Sequence, residues 1–155
     1  MTAVIDTPVQ APADAALRER RDFEHAQAYV GTDYIAGEYD CGHLFLDVQR
    51  EVFGRAMAVA TSMPHPLGRA HQAVHIKAIR DEIATRIPDA THGCAVLITG
   101  TADDGGTLWH VGTVFMNAGQ AWVLHNSAVM GGAALTPLKN FAWLGQKIEG
   151  FYACK

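Results

Sequence analysis

Apolar residues recur at helical spacing in the first half of the chain and at strand spacing in the second. Leu17, Phe23, Ala26 and Val30 stand near helical spacing and predict a first helix over 14–30. Leu44, Phe45, Val48, Val52 and Phe53 form one apolar stripe, while Asp47, Gln49, Arg50 and Glu51 fill much of the other face. This predicts a second helix, with Asp40 as its N-cap and Gly54 suited to its end. A third amphipathic helix is expected over 69–86, closed by Pro88. Beyond it the period changes. The segments 94–99, 108–116 and 120–127 are rich in β-branched and aromatic residues, with "GTADDGG" and "NAG" as turns between them. "MNAGQ" suits a hairpin, and 147–154 supplies one more short strand. Helices followed by an antiparallel meander read as an α+β domain over 14–155. Residues 1–13, with two prolines and several alanines, read as a flexible lead-in.

Composition narrows the classes. A chain of 155 residues, 49% hydrophobic and 18% charged, suits one domain with a real core. The net charge of −4, with no Lys/Arg run longer than two, disfavours a nucleic-acid partner. No apolar stretch approaches the roughly 18 residues of a membrane span, so no membrane partner is expected. The first twenty residues lack a basic start followed by an apolar run. The expectation is synthesis in the cytoplasm without a signal peptide. Three cysteines, with no CxxC, build neither a disulfide framework nor a four-cysteine zinc site.

The position of Cys41 has a chemical meaning. The reactive species is the thiolate, and the first turn of a helix favours an anion because its N–H groups and dipole point at it. A base is the next requirement. His110 lies in "LWHVGTVF" and His125 in "WVLHNS", on successive strands. A turn at 117–119 sets the two histidines facing each other near one end of the sheet. One imidazole then takes the thiol proton and the other orients it through its second nitrogen, the order of a nucleophile–base–orienter triad. Such a triad needs the Cys41 sulfur within about 3 to 4 Å of a His110 ring nitrogen. The alternative is a buried structural cysteine, the description that Cys94 fits, while Cys154, one residue from the end, reads as inert.

"YDCGHLF" and "HVGTVFMNAGQAWVLHNS" resemble the NlpC-type papain-like cysteine peptidases of the cell wall. That family's pattern is Tyr-Asp-Cys-Ser-Gly-Leu-Val, then His-Val-Gly-Ile-Tyr, a hairpin and a second histidine. "YVGTDYIAGEYDC" is similar to the family's Gly-Thr-Pro-Tyr loop, and "THGCAVLI" stands in the place of the strand before the histidine strand. "LTPLKNFAWLGQKIEGFYAC" looks like the ending of phage-encoded members, so the likeness covers about residues 28 to 154. It implies a papain-like fold, with the cysteine at a helix N-terminus packed on a small antiparallel sheet that carries the histidines. The activity it implies is cleavage of amide bonds in peptidoglycan stem peptides, without a cofactor or metal. By position Cys41 is the nucleophile, His110 the general base and His125 its orienter. The backbone N–H of Cys41 becomes an oxyanion donor, and Tyr34, Tyr39, Asp40 and His43 become candidate substrate or oxyanion contacts.

Departures from the family pattern bear on substrate. Gly42 and His43 stand where Ser-Gly or Trp-Gly is usual, and Gly93 and Cys94 where Gly-Asp is usual. Phage-like members imply delivery by a phage particle, with tail proteins as partners. A secreted toxin effector, with an immunity protein as partner, is the alternative context. A catalytically silent tail assembly module and an acyltransferase on lipids or small amides are the other classes. His71 and His75 stand at i and i+4 with His65 nearby, but Gln72 occupies the place of a zinc protease's glutamate. A solvated helix face is the expectation there, as is a plain loop for the acidic 102–104.

Overall fold

The computed structural model describes residues 10–56, 76–77, 80–82, 84–102 and 104–154. Two helices come first, α1 (Gln10–Gln27) and α2 (Cys41–Glu51). The strands β1 (Ala84–Ile87), β2 (Ala95–Thr101), β3 (Thr107–Asn117), β4 (Gln120–Ser127) and β5 (Gly132–Pro137) follow. A 3₁₀ segment (Leu138–Leu144) leads into β6 (Lys147–Cys154). The six strands form one antiparallel sheet in the order β1-β6-β2-β3-β4-β5. Thus β2 to β5 are a meander, and β6 returns to the outer edge of β2. The chain is α+β, with a six-stranded antiparallel sheet and a few helices.

Alternation along the strands divides the core into two faces. Leu97 and Val111 pack with Cys41 and Phe45 of α2. Phe115 and Leu124 pack with Leu44 and Val48 of α2 and with Phe23 and Ala26 of α1. On the opposite face Val96, Ile98, Val114 and Val123 surround Phe141 of the 3₁₀ segment. The stripe on α2 explains its seat: Leu44, Phe45 and Val48 are at most 2% exposed, each contributing about 1.5–3 kcal/mol of burial.

Asp40 caps α2 as its sequence suggests. Its carboxylate accepts from the N–H of Gly42 at 3.0 Å and of His43 at 3.3 Å. The His43 ring completes a capping box by accepting the Asp40 N–H through Nδ1 at 3.2 Å.

Several expectations are corrected. Helix α1 starts at Gln10, so the lead-in read through residue 13 ends earlier. Gln49 does not face water. It is fully buried, donating to the Gly93 carbonyl at 3.2 Å and to Thr113 at 3.4 Å, which satisfies a polar group beneath an apolar stripe. The helix read over 69–86 does not extend to its end. Residues 80–82 are helical, but Ala84–Ile87 is strand β1, drawn into the sheet by pairing with β6. His65, His71 and His75 lie outside the described residues. Strand β5 was not foreseen, because a glycine at its start and a proline at its end mask its period.

Gly112 of β3 has no room for a side chain against β4. A Cβ there would lie 2.4 Å from Val123 Cγ1 and 3.0 Å from the Leu124 carbonyl oxygen. Gly112→Ala is therefore expected to cost about 1–3 kcal/mol, read as a lower midpoint in urea denaturation. An unchanged midpoint contradicts the packing described.

Candidate active site

The β3–β4 hairpin carries both candidate histidines. Its register runs from Asn117↔Gln120 to Thr113↔Leu124, so the turn is centred one residue later than direct opposition of His110 and His125 requires. The expectation of a facing pair is corrected to a diagonal one. His125 abuts Gly112, whose added Cβ would lie 3.4 Å from His125 Cβ. His110, two residues before Gly112, shares that face and lies diagonal to His125. The result is a direct bond, His110 Nε2 to His125 Nδ1, at 2.7 Å, with the rings 80° apart. On its far side His125 Nε2 meets Thr136 Oγ1 of β5 at 2.8 Å. His125 is 2% exposed, its ring 5.2 Å from that of Phe141.

This burial has an electrostatic consequence. Desolvation disfavours a charged imidazole, so both rings are held well below the usual range; His110 is lowered further by its neighbour His125. Both are neutral at pH 7, and in a neutral pair one ring donates while the other accepts.

Cys41 stands at the first position of α2, 2% exposed, packed with Phe45, Leu97 and Val111. Val111, which packs with Cys41, directly follows His110 on β3. Alternation puts Val111 and His110 on different faces of that strand. Leu97↔Val111 pairs on the α2 side, whereas Ile98↔His110 pairs on the side of Phe141. The β2–β6 pairing shifts register between those same two residues, Leu97 and Ile98. Such a bulge bends its strand and increases local twist.

The loop before Cys41 brings Tyr34 to the thiol. Its phenol is raised above the ordinary value, chiefly by burial and then by the charges of Cys41 and Asp40. Tyr39 is committed elsewhere, donating to Asp47 at 3.0 Å, and His43 lies stacked beside it at 6.0 Å. Two side chains that the sequence did not single out complete the arrangement. Thr136 extends the histidine pair. Asn126, fully buried, donates through Nδ2 to the Tyr39 carbonyl at 2.9 Å and the Asp33 carbonyl at 3.4 Å, tying the loop to β4. Its Oδ1 has no partner among the described residues. Their signal was faint: "HN" in β4 hints that adjacent residues serve opposite faces, and a lone threonine before proline carries none.

Beside His125 lies a cleft of about 160 Å³ whose lining includes Gly100, Leu108, Ser127, Met130 and Gln146. Among the described residues no group of three or more His, Cys, Asp or Glu side chains is placed to hold a metal. Asp104 accepts the Gly106 N–H at 2.9 Å within its own turn. Cys94 is buried at the start of the sheet, where burial raises its thiol. No helix among the described residues is long and apolar enough to cross a membrane.

No family model, curated protein or solved structure matches this chain.

The lowered histidines predict how stability responds to acid. The unfolded chain binds protons near the ordinary pH of 6.5, while the folded chain resists them. Stability is therefore fully present above that pH and falls as pH drops below it, by up to about 1.4 kcal/mol per pH unit for each histidine. Urea denaturation at pH 7 and pH 5 should give a smaller loss for His125→Gln than for the wild type. Equal losses contradict buried, neutral rings.

Proposed function

We propose that the protein is a cysteine hydrolase of papain-like, NlpC type that cuts amide bonds in peptidoglycan stem peptides. The observation that carries it is the 2.7 Å bond between His110 and His125, backed by Thr136. A neutral imidazole held by a second imidazole is the equipment of a general base. Cys41, at the start of a capped helix and packed with Val111, the residue after that base, is the nucleophile. The thiol gives its proton to His110, and the thiolate adds to the amide carbonyl. The oxyanion takes a hydrogen bond from the N–H of Cys41, with Tyr34 as a second donor. His110 returns the proton to the departing amine, leaving a thioester. His110 then activates a water that releases the acid and restores the thiol. The substrate class and the phage-tail setting rest on the resemblance in residues 28 to 154. Delivery as a toxin effector uses the same chemistry.

One observation favours a second reading, a tail assembly module without activity. Cys41 packs on the α2 face of the sheet, and His110 takes the other face. Productive geometry needs the Cys41 sulfur within reach of a His110 ring nitrogen.

Mass spectrometry of peptidoglycan fragments decides between them. Incubation with the wild type should give new peptide termini, and Cys41→Ala and His110→Ala should each lower the rate at least about a hundredfold. Absence of cleavage by a folded wild-type protein across several wall types favours the assembly module.

A further inference from the structure

The histidine pair can take a proton at His110 only if its hydrogen bonds run in one direction. His110 uses Nε2 toward His125 Nδ1, and His125 uses Nε2 toward Thr136 Oγ1. Neutral rings allow two arrangements. In one, both protons sit on Nε2: His110 donates to His125, and His125 donates to the threonine oxygen. In the other, the threonine hydroxyl donates inward and both rings carry their proton on Nδ1. Only the first leaves a lone pair on Nδ1 of His110. It is also the arrangement that places both rings in the tautomer an unconstrained histidine side chain prefers.

We propose that Thr136 is a positioning residue: by accepting the Nε2–H of His125, it sets the direction of the chain and keeps Nδ1 of His110 open to a proton. Thr136 is 6% exposed and His125 2%, so water is a poor substitute for the hydroxyl oxygen at this point. The placement follows from sheet geometry. His125 pairs with Ala134 and Val123 with Thr136, so Thr136 lies diagonal to His125 on the same face, as His110 does on the other side. Two diagonal steps across three strands make a continuous chain. Once His110 is protonated, both its nitrogens donate. His125 must then accept at Nδ1 and donate at Nε2, and Thr136 must accept. Valine matches the shape of threonine but lacks that acceptor.

The inference deepens the hydrolase reading, and its test separates the two. Full-length protein labelled with ¹⁵N in histidine is examined by NMR, which distinguishes Nδ1–H from Nε2–H in each ring. The wild type and Thr136→Ser should carry the proton on Nε2 in both His110 and His125. In Thr136→Val both rings should move together toward Nδ1–H, because a buried Nε2–H has lost its acceptor. On wall fragments the valine variant should lose about tenfold in kcat at unchanged KM, with serine restoring it. Nδ1–H rings in the wild type overturn the proposal even if the valine variant fails to fold. Unaltered rings in a folded Thr136→Val also overturn it. The expected spectra without any cleavage by the wild type support the role of Thr136 and count against the hydrolase alone.

Discussion

The register of the β3–β4 hairpin is the constraint on which the candidate site depends. A one-residue slip between strands would turn every side chain to the other face, and here it would separate His110 from His125. The register is held by the tight turn at 117–119 and by the close approach at Gly112. There Val123 and the Leu124 carbonyl leave no room for a side chain. His110, two residues before this glycine, reaches His125 on the same face of the sheet.

Strand β4 works on both of its faces. His125 points to the side of Phe141 and bonds His110, while its neighbour Asn126 points to the side of α2 and holds the loop that leads into Cys41. The loop in turn presents Asp40, whose carboxylate caps α2 and fixes where Cys41 begins the helix. The loop that leads into Cys41 and the imidazole pair are therefore held by adjacent residues of one strand.

Much of this was legible in the sequence. The apolar stripe of α2, its Asp40 cap, and the strands β3, β4 and β6 follow from period and turn chemistry, because local preference and tertiary packing agree there. The histidine pairing was legible in outline but off by one step, since turn centres are set by backbone geometry that "MNAGQ" only partly encodes. Three features were not legible. Gln49 is inward because a carbonyl and a hydroxyl wait beneath it, which helical period does not report. Ala84–Ile87 is a strand because β6 needs a partner, overriding its helical pattern. Thr136 gains its role from a diagonal contact across two strands, which no local signal carries. The packing of Cys41 against Leu97 and Val111 likewise emerges only once α2 is docked.

The most direct measurement is the rate at which a small alkylating reagent modifies Cys41 as pH is varied. It would use protein in which Cys94 and Cys154 are replaced by alanine, with and without His110→Ala. If His110 activates the thiol, alkylation should persist well below pH 8.5, the ordinary range of a free cysteine, and that reactivity should disappear in the His110 variant. Identical profiles in the two proteins, or a thiol inert at every pH, would contradict the account and leave Cys41 a packed residue of the core.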